Sequence, residues 1–446
     1  MVDPLAILWR CTILILELCL VRYCKQVVPK MFTLISSMVN FISFIRDNSM
    51  KIHYIIPIAL LPMFALGTQV SAQSPLTVSK TIKPDEVARA RVFWTDKRIS
   101  EAKPFPIPID YGPSEVNQDG KMEEATEDLG VPGKTPPGRA VGDKSQDSGF
   151  FSESDNRSFL DDTAGDDESN VREEEVGDIL SDGDIEITFK NGLLDSSSEI
   201  QEGTKSVYTS YIVNNKTALW RVYPHVWVGR LTFEAPNGTN YCSATAISGN
   251  NIVTAAHCVY DSTNNIWFDN WAFTPAYRNG SRPYGTFPAN SCWILTAWVN
   301  LWGNYSINTW ARHDVAVCEM DTNEYGRTLS NAVGWAGRQV NLAYTQLHFL
   351  SGYPLKDFRN QYLPAAGAYL RSCTAESFYQ AYNTLGMGCN WGGGISGGSW
   401  LLGYKPLEVS GWVNSVNSGM YIGQTNAYGA RFNSSNIVPL CNSAGC

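Results

Sequence analysis

From Tyr208 to the C-terminus, short apolar runs alternate with clusters of Gly, Asn, Pro and Ser, a rhythm suited to strands joined by turns rather than to helices. Val226 to Phe233 reads as the first convincing strand, and Cys242 to Ile247 as another. Ser248-Gly249-Asn250 then supplies a turn, and Asn251 to Ala255 the returning strand. Trp220, Trp227, Trp267, Trp271 and most of the other tryptophans fall in the same stretch, which predicts an all-β core. A region of roughly 225 residues buries such a core comfortably as one unit.

The upstream pattern differs. Phe151 to Glu202 is dominated by Asp, Glu, Ser and Gly, with Asp161-Asp162, Asp166-Asp167-Glu168 and Glu173-Glu174-Glu175 in succession. Such a run buries too little apolar surface to offset the entropy of ordering, so a largely disordered acidic segment is expected. The net charge of −9 reflects this clustering, because the stretch that follows carries a slight excess of Lys and Arg. No basic patch with interleaved aromatics occurs, which argues against nucleic acid as a partner. Near the start, Met50-Lys51, the apolar run Tyr54 to Leu66, and Val70-Ser71-Ala72 before Gln73 have the layout of a secretory signal over 50–72. Residues 1–49 contain an apolar stretch broken by Arg10 and Glu17, a poor membrane span, and are read as a gene-model extension with a signal-anchor as the alternative.

Three residues carry candidate chemistry. His257 lies in Val253-Thr254-Ala255-Ala256-His257-Cys258, Asp314 in Arg312-His313-Asp314-Val315-Ala316-Val317, and Ser396 in Gly394-Ile395-Ser396-Gly397-Gly398. A serine hydroxyl is a weak nucleophile at neutral pH and needs a nearby base with a pKa close to the working pH, a role suited to His257. The imidazolium so formed needs a carboxylate at its other nitrogen, a role suited to Asp314. Glycines around Ser396 permit a tight turn whose Gly394 and Ser396 N–H groups face a developing oxyanion; such a donor is worth roughly 3–4 kcal/mol. The chain order His, Asp, Ser is that of the chymotrypsin group and differs from the orders of α/β-hydrolases and subtilisins. The glycine run also lacks the Lys-Ser/Thr ending of a phosphate-binding loop.

Together with Phe273-Thr274-Pro275-Ala276-Tyr277, Pro283-Tyr284-Gly285-Thr286-Phe287, Gly352-Tyr353-Pro354 and Cys389-Asn390-Trp391-Gly392-Gly393, these motifs make the stretch from about Tyr223 to Cys446 resemble the trypsin-like secreted serine endopeptidases. Within that family it looks most like the bacterial and fungal branch related to glutamyl endopeptidases. The resemblance implies two perpendicular six-stranded antiparallel β-barrels, an active site in the cleft between them, and peptide-bond hydrolysis through an acyl-enzyme. It also implies that Asn390 sits at the base of the specificity pocket, where an Asp would bind Arg or Lys. The last histidine is His348, so the downstream histidine with which glutamyl endopeptidases bind a substrate carboxylate is missing. Ile395 replaces the Asp that animal trypsins pair with a freed N-terminus, and Ser399 stands where proline is common.

Val92-Phe93-Trp94-Thr95-Asp96 and Ala102-Lys103-Pro104-Phe105-Pro106 resemble proregion segments of the same branch, with a proline-rich linker as the plainer reading. The expected layout is therefore extension 1–49, signal peptide 50–72, propeptide 73–221, acidic and largely disordered, and protease domain 222–446. The family's spacing from His257 puts the activating cut near Trp220-Arg221-Val222-Tyr223-Pro224.

Cys242, Cys258, Cys292, Cys318, Cys373, Cys389, Cys441 and Cys446 form an even set, read as disulfides of an exported domain. Eight cysteines allow 105 connectivities; sequence neighbours suggest Cys242–Cys258, Cys292–Cys318, Cys373–Cys389 and Cys441–Cys446. No Cys-x-x-Cys pair or histidine cluster suggests zinc, so neither metal nor cofactor is expected. Asn156, Asn215, Asn237, Asn279, Asn304 and Asn433 lie in glycosylation sequons. The expectation is a secreted, monomeric serine endopeptidase made as a proenzyme. Its partners are protein or peptide substrates and its own propeptide, with no membrane contact after signal removal. A catalytically inactive homologue acting as an extracellular binding protein is the alternative.

Overall fold

The computed structural model describes residues 76–106, 109–110, 131–140, 207–213, 218–301, 307–421 and 423–446. The expected signal peptide 50–72, the expected extension 1–49 and the acidic run 151–202 lie outside the described residues. Ahead of the main body come β1 (Thr77–Thr81), α1 (Pro84–Phe93), α2 (Asp96–Glu101), β2 (Lys103–Pro104), β3 (Ile109–Asp110), β4 (Gly133–Thr135) and β5 (Tyr208–Ile212). Local sequence explains the helices. Pro84 opens α1, where a missing N–H costs nothing, and Asp85 and Glu86 complement the positive end of its dipole. Thr95 caps α2 by accepting the Arg98 N–H at 3.3 Å.

The first barrel consists of β6 (Val228–Ala235), β7 (Gly238–Ile247), β8 (Asn251–Thr254), β11 (Asp269–Pro275), β12 (Phe287–Leu295) and β13 (Ala316–Met320), with a small hairpin of β9 (Tyr260–Asp261) and β10 (Ile266–Trp267) inserted. Its six strands pair antiparallel in the closed ring β6, β7, β8, β13, β12, β11 and back to β6. Leu231, Phe233, Ile252, Val253, Phe273, Phe287 and Ile294 are fully buried in its core. The β7–β8 hairpin falls where the sequence alternation puts it, with Gly249 and Asn250 at positive φ in the turn. β6 starts two residues later than expected because His225–Trp227 form a 3₁₀ turn.

After β14 (Gly337–Val340), the second barrel is built from β15 (Leu347–Gly352), β16 (Arg371–Ala381), β17 (Thr384–Gly388), β18 (Ser399–Leu402), β19 (Trp412–Tyr421) and β20 (Asn426–Ala430). These also close antiparallel, as β15, β16, β17, β20, β19, β18 and back to β15. The fold is thus two closed six-stranded barrels. The C-terminal helix α3 (Ile437–Ala444) packs back onto β12 and β13, with Asn436 capping its start and Gly445 at φ 74° ending it.

Parts of the segment before the barrels, expected to be largely disordered, are ordered against them. β1 pairs antiparallel with β12, β4 with β14 and β5 with β16, while β2 and β3 pair parallel with β7 and β19. Val87, Ala90, Trp94 and Ile99 are buried. Arg91 bonds Asp321 at 3.0 Å and also donates to the Thr322 and Asn323 carbonyls, and Trp94 Nε1 donates to Asn270 O at 2.5 Å. These elements gain order from cover supplied by the barrels, so composition alone did not reveal it.

The structure contains the disulfides Cys242–Cys258, Cys292–Cys318, Cys373–Cys389 and Cys441–Cys446. Asn237 and Asn279 are exposed, but Asn433 is buried with its amide engaged by Arg431, Ser435 and Asn436, which makes it a poor glycan acceptor. Among the described residues, no helix is long and apolar enough to cross a membrane.

Candidate active site

His257 sits on the 3₁₀ turn Ala256–Cys258 that follows β8, and Cys258 is tied to Cys242 on β7. Asp314 follows another 3₁₀ turn, Ala311–His313, just before β13, and is fully buried. Because β8 and β13 are neighbours in the ring, the two residues meet. Asp314 Oδ2 lies 2.7 Å from His257 Nδ1, and Oδ1 accepts the His257 backbone N–H at 2.8 Å. An ionised carboxylate only accepts, so the proton belongs on Nδ1 and the lone pair on Nε2.

Ser396 is carried by the turn between β17 and β18. Gly394 and Gly397 have φ of +95° and +76°, a region other residues enter at a cost. A Cβ on Gly397 would also fall on Thr254 Oγ1 and Ser243 O, so the turn presses directly against the strand leading to His257. Ser243 on β7 joins the parts. Its N–H donates to Ser396 O at 2.7 Å, its hydroxyl donates to Gly394 O at 3.0 Å and accepts the Tyr353 N–H at 2.8 Å, and its carbonyl accepts from Thr254 Oγ1 at 2.8 Å. Nothing in the sequence pattern marks Ser243; it is one small polar residue in a strand. The Tyr353 hydroxyl in turn donates to Tyr277 O at 2.8 Å, and burial raises its pKa far above the usual tyrosine range.

Two further carbonyls orient the turn. Gly393 O accepts from Leu355 N at 2.6 Å, and Ile395 O from Gly398 N at 2.8 Å. A trans peptide points its N–H away from its C=O, which directs the Gly394 and Ser396 N–H groups to the opposite side. Ser396 Oγ and His257 Nε2 are both buried and neither has a hydrogen-bond partner. Asn390 is half-buried, and its carbonyl accepts the Phe358 N–H at 2.9 Å. Among the described residues, Cys242, His257 and Cys258 have ligand-type atoms within 4.8 Å of one another, but both sulfurs are spent in the disulfide and offer no thiolate.

Residues 221–429 match the family model described as Trypsin. This region is a trypsin-family domain. Among solved structures, the chain is similar to the protease Anisep from Arthrobacter nicotinovorans, with 30% identity and a TM-score of 0.41 over 49% of this chain and 95% of that one. It is also similar to the thermostable serine protease AL20 from an extremophilic microorganism, with 25% identity and a TM-score of 0.41 over 49% of this chain and 97% of that one. Among curated proteins, an extracellular metalloprotease of Bacillus subtilis (strain 168) is 24% identical over 216 residues, 45% of this chain and 62% of that protein. The chain therefore spans less than two thirds of the length of that relative. The trypsin-family domain contains His257, Asp314 and Ser396, and its matched span starts at Arg221.

Proposed function

We propose that this chain is a secreted serine endopeptidase, made as a proenzyme, that cuts protein or peptide substrates through His257, Asp314 and Ser396. Ser396 Oγ attacks the scissile carbonyl while His257 Nε2 takes its proton, and Asp314 stabilises the imidazolium. The N–H groups of Gly394 and Ser396 receive the oxyanion. His257 then protonates the departing amine, and water attacking the acyl-enzyme by the same route restores Ser396. The observation that carries this reading is the double attachment of His257 to Asp314, beside a serine-bearing turn that Ser243 binds to the same strand system.

Four disulfides support export to an oxidising compartment. Asn390 carries no charge, in keeping with an uncharged side chain on the acyl side of the cut. Cleavage after Arg221 separates the leader, residues 73–221, from the barrels. Their own cleft then becomes available to a monomeric enzyme.

A fluorophosphonate probe applied to processed protein tests the assignment. Labelling at Ser396, lost together with peptide cleavage in Ser396→Ala, is the expected result. Labelling at Ser399, or none at all, overturns it and favours a non-catalytic binding protein. Peptide-library profiling of the same material gives the cleavage preference.

A further inference from the structure

The leader approaches the cleft at two places, and both pairings run the same way. Lys103 and Pro104 lie parallel to β7, opposite Asn240 and Tyr241, and the Phe105 N–H donates to Tyr241 O at 2.9 Å. The Phe105 ring packs nearly parallel to the His257 imidazole, 24° between planes and 6.3 Å between centroids. It also meets Phe268 at 5.0 Å and Phe233 at 5.4 Å, so its apolar face is covered by the first barrel. Upstream, Ala102 O accepts from the buried Arg230 guanidinium at 3.3 Å. Downstream, Ile109 and Asp110 lie parallel to β19, opposite Met420 and Tyr421. That strand also flanks the nucleophile, since Asn417 O accepts the Gly397 N–H at 2.8 Å.

The chemistry fixes which way a productive substrate runs. Its scissile carbonyl must sit on Ser396 with the oxygen toward the Gly394 and Ser396 N–H groups, on the second barrel, and its leaving nitrogen must sit at His257 Nε2, on the first. The acyl half thus lies along β19 and the leaving half beside β7, so the substrate runs from the second barrel to the first. The leader runs from β7 to β19. Turning it round would convert both parallel pairings to antiparallel ones, the slightly more stable arrangement per residue for an added strand. Two independent pairings therefore agree on direction.

The geometry points to a leader that blocks the cleft as a reversed substrate, with Phe105 lodged against His257 on the leaving-group side. This rests on the protease reading above and adds how the proenzyme is held silent. A reversed chain exchanges the carbonyl and amine sides of each peptide unit, so no leaving nitrogen faces His257 and the blocking stretch survives its own enzyme. The apolar site under Phe105, formed by Phe233, Phe268 and the His257 ring, becomes the leaving-side subsite once the leader departs and accepts an aromatic side chain there.

The test uses the intact, uncleaved full chain and reads the rate of fluorophosphonate labelling at Ser396. Labelling is expected to be slow in the wild type, at least tenfold faster in Phe105→Asp, and intermediate in the conservative Phe105→Leu. Equal rates in wild type and both variants overturn the block. A synthetic peptide covering Arg98 to Asp110, added to processed protein, should slow labelling and be recovered uncut after prolonged incubation. Rapid cutting between Phe105 and Asp110 overturns the reversed direction, and no slowing overturns the contact. If processed protein neither labels nor cuts peptides, the protease reading fails. Binding of the fluorescein-tagged peptide, weakened at least tenfold by Phe105→Asp in the peptide, then still tests the leader contact, and absence of binding overturns it.

Discussion

Asp314 engages His257 through both of its carboxylate oxygens, one on the ring and one on the backbone of the same residue. Replacing Asp314 by Asn leaves a single oxygen for these two places. If that oxygen keeps the backbone N–H, the amide NH₂ faces Nδ1 and forces it to accept, which moves the ring proton to Nε2 and removes the base. Asp314→Asn is expected to lower kcat about 10⁴-fold with little change in KM, as in other triads of this type. Steady-state kinetics beside an unchanged circular dichroism spectrum check it, and a loss below tenfold would mean that Asp314 is not the orienting acid.

The loop that carries His257 is closed by Cys242–Cys258, with a sequence separation of 16. Restriction of the unfolded chain by a loop of that size is worth about 3 kcal/mol. The double substitution of both cysteines by Ala should reduce unfolding free energy by that order and also depress kcat, since the base loses its anchor. Urea titration and non-reducing peptide mapping report on the two halves of this expectation.

Gly397 has no room for a side chain and a φ of +76°. Gly397→Ala should displace the Ser396 turn from Ser243, with a loss of at least a hundredfold in labelling rate and a cost of about 1–3 kcal/mol for overpacking. Gly238, whose added Cβ would meet nothing within 4 Å although its φ is +112°, is a useful comparison, because Gly238→Ala tests backbone strain without a clash.

His225 and His348 are fully buried, and burial lowers the pKa of each to about 4. His225 Nε2 meets the Tyr404 hydroxyl at 2.9 Å, and His348 lies between Ser377 Oγ at 3.0 Å and Asn414 Oδ1 at 3.3 Å. A pKa below the unfolded value of about 6.5 means that the unfolded chain takes up the proton first. The stabilisation is therefore complete above about pH 6.5 and is lost as pH falls toward 4, at most about 3 kcal/mol per histidine. Urea midpoints should drop over that window, and His348→Gln should flatten the drop; an unchanged slope would count against His348 as a source.

The β7–β8 hairpin was legible because apolar residues, a Gly-Asn turn and a returning apolar run obey strand periodicity locally. The His257 and Ser396 motifs stood out because the chemistry expected of them demands distinctive neighbours, and the structure brings His257 onto Asp314. Ring closure between β12 and β13, and between β15 and β18, was not legible, since such pairings are set by tertiary packing rather than by any local signal. The same holds for Ser243 and Phe105. Their importance lies in what they touch across the fold, and neither residue type nor spacing announces a partner so far along the chain.

β1 lies along the part of β12 from Ser291 to Leu295, beyond the short stretch where β12 pairs with β11. A chain cut near Arg221 and stripped of its leader would bare those peptide groups, and with them the β16 groups from Arg371 to Ala375 that β5 covers, while both rings stay closed. An uncovered strand edge templates association with other chains. Under the proposed processing, the cut form carries a colloidal weakness that the uncut chain lacks, and at high concentration it should self-associate through the bared β12 and β16 edges while the uncut chain stays dispersed.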